Sequence, residues 1–122
     1  MNLEKRGALR VSVIIPVRNE ARYLAECLES LLANDFPREN YEILVVDGLS
    51  EDNTRQIAES FRSVHPGLRI VENPERIAPT ALNHGLGEAR GDIIIRVDGH
   101  GHVARDFIRK SIETLDQVQE AG

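Results

Sequence analysis

The chain has 122 residues, 29% of them charged, and a net charge of −5 at neutral pH. That length supports one domain with its own core, and a negative balance with Lys and Arg scattered singly excludes a general nucleic-acid binder, which needs a basic face to displace counterions from phosphates. A single cysteine excludes an internal disulfide and fits a reducing cytosol.

Residues 1–10 read as a charged tail without the apolar stretch of a secretory leader, and no apolar run approaches the ~20 residues of a membrane-spanning helix. Val11 to Pro16 reads as a first strand. The helix after it places Leu24, Cys27, Leu28, Leu31 and Leu32 on one apolar stripe, with Asn19 as a candidate cap. Phe36 to Asn40 is rich in turn residues, and Tyr41 to Val46 forms a second strand ending at Asp47 and Gly48. Ser50 and Asp52 then start a second helix, which turns Ile57, Ala58 and Phe61 inward and stops before His65-Pro66-Gly67.

Leu68 to Val71 gives a short third strand, followed by a loop over residues 72–78. Pro79 suits the first turn of a third helix with Ala81, Leu82, Leu86 and Ala89 inward. Gly85 and Gly87 each cost that helix about 1 kcal/mol relative to Ala, so close approach to the sheet or to a ligand is expected in return. Asp92 to Asp98 is a β-branched run of the kind buried on both faces of a parallel sheet. Val103 to Val118 reads as a last helix, turning Phe107, Ile108, Ile112 and Leu115 to one side.

Alternating strands and helices imply an α/β fold: a Rossmann-like open parallel sheet with right-handed crossovers and helices on both faces, most simply in the order 3-2-1-4. Ligands bind such sheets beyond the carboxyl ends of the strands, where the chain reverses direction. Pro16, Asp47 and Asp98 end three different strands and are therefore expected at one edge. His100, two residues past Asp98, places an imidazole beside a carboxylate, a pairing suited to a divalent cation.

Four ordered blocks resemble a known family. They are Val13-Ile14-Ile15-Pro16-Val17-Arg18-Asn19-Glu20, Val45-Val46-Asp47-Gly48-Leu49-Ser50-Glu51-Asp52-Asn53-Thr54, Ala81-Leu82-Asn83-His84-Gly85, and Ala89-Arg90-Gly91-Asp92 leading to Val97-Asp98-Gly99-His100. Together they are similar to family 2 inverting glycosyltransferases of the GT-A fold, and the Arg96 to His100 ending is similar to the bacterial exopolysaccharide branch, the succinoglycan type.

The resemblance makes residues 11–122 the nucleotide-sugar-binding half of such a domain. It implies that Pro16 and Glu20 line the nucleobase pocket, that Asp47 accepts a hydrogen bond from the base, and that Asn83 belongs to the nucleotide site. It gives Asp98 both to the nucleotide site and, with His100, to a divalent metal, Mn²⁺ or Mg²⁺. An ionised carboxylate is acceptor-only, so Asp47 can read the imide N–H of uracil and disfavours adenine, which points to a UDP-sugar donor. Arg18 stands where the family usually has an aromatic residue, and Arg76 could reach a phosphate. The implied acceptor is a glycan or a lipid-linked sugar. The implied parent enzyme is cytoplasmic, with the cytoplasmic face of the membrane as the alternative place. The general base is expected beyond residue 122, so no catalytic residue is assigned here and the chain is expected to be inactive alone, with self-association possible through surfaces left open.

Two other classes compete on residues alone. Gly99-His100-Gly101-His102-Val103-Ala104 matches a G-x-G-x-x-A dinucleotide fingerprint of an oxidoreductase, but it follows the last strand instead of the first. A phospho-acceptor signalling domain has a similar acidic pocket, but needs a lysine at a strand end, and Lys5 and Lys110 are not there.

Overall fold

The computed structural model describes residues 10–121. The tail expected over residues 1–10 lies, apart from Arg10, outside the described residues. Along the chain run β1 (Val11–Val17), α1 (Leu24–Leu32), a 3-10 turn (Arg38–Asn40), β2 (Tyr41–Asp47), α2 (Thr54–Ser60), β3 (Leu68–Glu72), α3 (Ala78–Glu88), β4 (Ile93–Arg96) and α4 (Phe107–Ala121).

The sheet has the order β3-β2-β1-β4 and every pairing in it is parallel. Period-two alternation divides its residues between two apolar layers. Val11, Val13, Ile15 and Val17 join Ile43, Val45 and Ile95 under α1, α2 and α4, through Leu24, Leu28, Ala58 and Ile108. On the other face Ile14, Leu44 and Val46 meet Ala81 of α3. The two central strands are therefore covered on both sides, which is why they read as unbroken apolar runs.

The fourth strand departs from that expectation. It is shorter than its apolar run, it lies at the sheet edge, and its Ile94 is 39% exposed because α3 does not reach over it. The last helix begins at Phe107, not Val103. The segment before it is pinned by the end of α1: Val103 N–H donates to Ser30 Oγ, Asn34 Nδ2 donates to the Ala104 carbonyl, and Ile108 N–H donates to Asn34 Oδ1 at 2.9 Å. Asn34 thus satisfies an orphan donor at the start of a helix far along the chain. Leu115 is exposed, not inward.

In α3 the inward set also shifts. Leu86, expected inside, is 46% exposed, whereas Ala81 and Gly85, four residues apart, form the buried face. A Cβ on Gly85 would lie 2.7 Å from Ile14 Cγ2, so the helix sits on β1 at a distance only glycine allows. Gly87 has nothing within 4 Å of such a Cβ and is not explained by packing. The pair makes a matched test by denaturant unfolding. Gly85→Ala is expected to destabilise by about 1–2 kcal/mol, because the fully buried Ile14 cannot yield. Gly87→Ala is expected to stabilise by up to about 1 kcal/mol through helix propensity alone. Equal effects at both positions would contradict the close approach.

A polar clamp closes the other end of the sheet. Glu42, 3% exposed, accepts from Ser12 Oγ at 2.6 Å, Arg69 Nη2 at 2.8 Å and Arg90 N–H at 2.7 Å. Gly91 N–H donates to Ser12 Oγ, and Arg69 donates to the Glu88 carbonyl, so the α3–β4 turn is tied to β1, β2 and β3.

Candidate functional site

Three loops meet beyond the carboxyl ends of β1, β2 and β3, and each holds a non-glycine residue in the left-handed region: Asn19 at φ 55°, Leu49 at φ 58° and Arg76 at φ 69°. Such conformations cost on the order of 1–3 kcal/mol each and persist where surrounding contacts over-determine them. Here those contacts run between loops. Asn19 N–H donates to Ser50 Oγ, Glu51 N–H donates to Asn19 Oδ1, and Glu20 N–H donates to Thr54 Oγ1, all at 2.8 Å. Asn19 therefore does not cap α1, whose preceding residue Tyr23 offers no side-chain cap. Ser50 and Asp52 likewise serve the loop, α2 starting only at Thr54, whose N–H Asp52 accepts.

Asp47 is 2% exposed and is the carboxylate under this junction, accepting Ser50 Oγ at 2.5 Å and, more loosely, Ser50 N–H. Its carbonyl accepts Asn73 N–H, which anchors the loop after β3. Asn73, itself buried, donates through Nδ2 to the Ile77 carbonyl and accepts Thr80 Oγ1, fixing the turn that carries Arg76. Asn73 carries no site motif in the sequence, although Asn-Pro at a strand end is a recognisable turn signal.

Pro16, Val17, Arg18 and Glu20 on one side and Asn73, Arg76, Ile77, Ala78 and Ala81 on the other enclose a cleft of about 170 Å³. Arg18 Nη1 donates to the Gly48 and Leu49 carbonyls at 2.9 and 3.0 Å, so it serves as a loop tether at the cleft wall. Neither Arg18 nor Arg76 takes part in an ion pair among the described residues, which leaves two cationic groups at the cleft.

Asp98 and His100 lie beyond β4, on the other side of β1 from Asp47. The strands bearing the two acids are separated by two spacings, about 10 Å. Asp98 and His100 side chains are 64% and 61% exposed, and Asp98 makes only a loose 3.9 Å contact with Arg96. His100 Nδ1 is 3.2 Å from Glu20 Oε2, which joins the β4 loop to the cleft. Cys27 shows the same convergence: its thiol donates to the Asp98 carbonyl, and burial, followed by the Glu20 and Asp98 charges, pushes it up to about 11.

The structure thus brings Pro16, Glu20, Asp98 and His100 around one end of β1, with Asp47 buried in the adjoining loop junction and not on the cleft wall. Asn83 is apart from them, exposed on α3 and not among the residues lining the cleft.

A family model described as glycosyl transferase family 2 matches residues 12–121. The chain belongs to that family. A dolichyl N-acetyl-alpha-D-glucosaminyl phosphate 3-beta-D-2,3-diacetamido-2,3-dideoxy-beta-D-glucuronosyltransferase of Methanococcus voltae is 36% identical over 112 residues, 90% of this chain and 35% of its own length. The succinoglycan biosynthesis protein ExoA of Rhizobium meliloti is 33% identical over 103 residues, 83% of this chain and 31% of its own. Among solved structures, TarS 1-349 of S. aureus in complex with UDP superposes with a TM-score of 0.79 at 28% identity, over 89% of this chain and 32% of that one. The mannosyltransferase PcManGT of Pyrobaculum calidifontis, in complex with GDP-Man and Mn²⁺, gives 0.80 at 35% identity, over 85% and 31%.

The sheet is accordingly the Rossmann-like part of a GT-A fold. The chain spans about a third of the length of these glycosyl transferase family 2 relatives. The succinoglycan type is one of several kinds of relative, so the branch suggested by the β4 ending is not singled out.

Proposed function

We propose that residues 11–122 are the nucleotide-sugar-binding half of a glycosyltransferase that uses a nucleoside-diphosphate sugar and a divalent metal to extend a glycan or lipid-linked acceptor. The observation that carries this reading is the strained three-loop junction itself, which sets a cleft with two cationic walls beside an exposed carboxylate and imidazole. A UDP-sugar remains the leading donor. Guanine, however, also presents a ring N–H, so Asp47, which must release Ser50 and open to the cleft to meet a base, would select uracil or guanine against adenine without separating the first two.

Among the described residues no group of three or more His, Cys, Asp or Glu side chains is gathered for a metal ion. Asp98 and His100 fit a cation that completes its shell with phosphate oxygens and water, a donor set suited to Mn²⁺ and tolerated by Mg²⁺. The metal's contribution when bound is to neutralise charge on the diphosphate leaving group. Pro16 and Glu20 bound the base side of the site, and Asn83, exposed on α3, is assigned to the sugar-nucleotide only through its family position.

The general base and acceptor site are assigned to sequence beyond residue 122, in keeping with relatives about three times as long. On the family reading the parent protein works in the cytoplasm, with the cytoplasmic face of the membrane as the alternative. No helix among the described residues is long and apolar enough to cross a membrane. Self-association, where it occurs, would use the open edge of β4.

Calorimetric titration with UDP, GDP and ADP in the presence of Mn²⁺ tests the reading. UDP or GDP is expected to bind at least about tenfold tighter than ADP, the worth of one hydrogen bond in the right place. UDP-sugar incubated with the chain should be neither transferred nor hydrolysed. Robust turnover, or equal affinity for all three nucleotides, would contradict the proposal.

A further inference from the structure

Glu20 occupies a place between two functions. It lines the cleft with Pro16 and Arg76, and its Oε2 lies 3.2 Å from His100 Nδ1 in the loop after β4. The side chain is firmly based: its backbone N–H donates to Thr54 Oγ1, and its carbonyl accepts the N–H groups of Tyr23 and Leu24 where α1 begins. The β4 loop is pressed onto it, since a Cβ on Gly99 would meet Glu20 Cγ at 3.4 Å and Val17 Cγ1 at 2.7 Å. Tyr23 presents its ring edge-on to His100, with centroids 6.4 Å apart. His100 is thus held from two directions by residues of one turn.

A carboxylate accepts hydrogen bonds and donates none, so this contact requires the proton on Nδ1. In the neutral imidazole the Nε2 lone pair is then free to coordinate a cation. Imidazole ligands of metals are commonly oriented in this way, the second ring nitrogen donating to a carboxylate that fixes both tautomer and ring direction.

We infer that Glu20 is the positioning residue of His100: it holds the Nδ1–H tautomer and so presents Nε2 to a divalent cation carried in with the nucleoside diphosphate. The inference rests on the proposed metal role of His100 and assigns Glu20 a function distinct from lining the base pocket. Because Glu20 faces the cleft as well, nucleotide and metal affinity are coupled through this one side chain.

The test combines a spectroscopic readout with binding. Long-range ¹H–¹⁵N correlation of the His100 ring is expected to report the Nδ1–H tautomer in the wild-type chain and its loss in Glu20→Ala, with Glu20→Gln, whose amide oxygen can still accept, restoring it. Mn²⁺ affinity in the presence of saturating UDP, read by electron paramagnetic resonance, should fall about 10–100-fold in Glu20→Ala, and Glu20→Ala should add no further loss on a His100→Ala background. UDP affinity without metal, measured on the same variants, separates the base-pocket contact from the metal effect. If His100→Ala weakens Mn²⁺ binding but Glu20→Ala changes neither that affinity nor the tautomer, the positioning role is overturned while the metal site stands. If His100→Ala leaves Mn²⁺ binding intact, the metal reading of His100 fails and the inference fails with it.

Discussion

Asp98→Ala is expected to remove the metal-dependent part of UDP binding, lowering affinity in Mn²⁺ by roughly 100-fold or more, since loss of a direct ligand should exceed the 10–100-fold cost of losing a supporting residue. The substitution is a clean probe because the carboxylate does little else. It is 64% exposed and its one charged neighbour, Arg96, is 3.9 Å away. The backbone contacts that shape the loop, from Cys27 Sγ and Gly101 N–H to the Asp98 carbonyl, survive truncation. Folding stability should therefore stay within about 0.5 kcal/mol of wild type. With metal chelated the sign reverses: an uncompensated carboxylate repels the diphosphate, so the variant should bind UDP as well as or slightly better than wild type. Calorimetry with and without Mn²⁺ on both proteins reads all four values. A metal-independent loss would make Asp98 an ordinary contact of the nucleotide, and no loss at all would remove it from the site.

That site was legible in the sequence where strand ends announce themselves. Pro16, Asp47 and Asp98 follow apolar runs, and the parallel order 3-2-1-4 carries them to one edge. What periodicity could not give was the wiring of the loops. Asn19 looks like a helix cap, yet it takes a left-handed conformation to bind the loop after β2, and that partner lies more than thirty residues away. Asn73 and the turn of Arg76 are set by a bond to the Asp47 carbonyl, again non-local. The exposure of β4 has a related cause: β-branched residues show strand preference, but whether a helix covers Ile94 depends on where α3 lies. Hydrophobicity favours an inward Leu86, whereas the close contact with Ile14 selects the smallest residue, Gly85.

Glu42→Ala should destabilise the fold by about 3 kcal/mol, at the low end for breaking a buried charge pair because Arg69 is partly exposed. In the structure burial raises its pKa, but hydrogen bonds from Ser12, Arg69 and the Arg90 N–H, together with the Arg69 charge, outweigh burial and hold it below the usual carboxylate range. Truncation strands those three donors together and frees the turn that leads into β4. The melting temperature should drop by on the order of 10 °C, and the loop bearing Asp98 should exchange its amides faster than the rest of the sheet. Glu42→Gln, which keeps shape and one acceptor, should cost less. The pH dependence follows from the lowered pKa: stability contributed by Glu42 is fully present above the unfolded value of about 4.5 and is lost as pH falls through the folded value. Wild type should therefore lose stability more steeply than Glu42→Gln below that pH, and the two curves should run parallel above it. A Glu42→Ala chain within about 0.5 kcal/mol of wild type, the range of an ordinary surface change, would mean that the α3–β4 turn is held without the clamp.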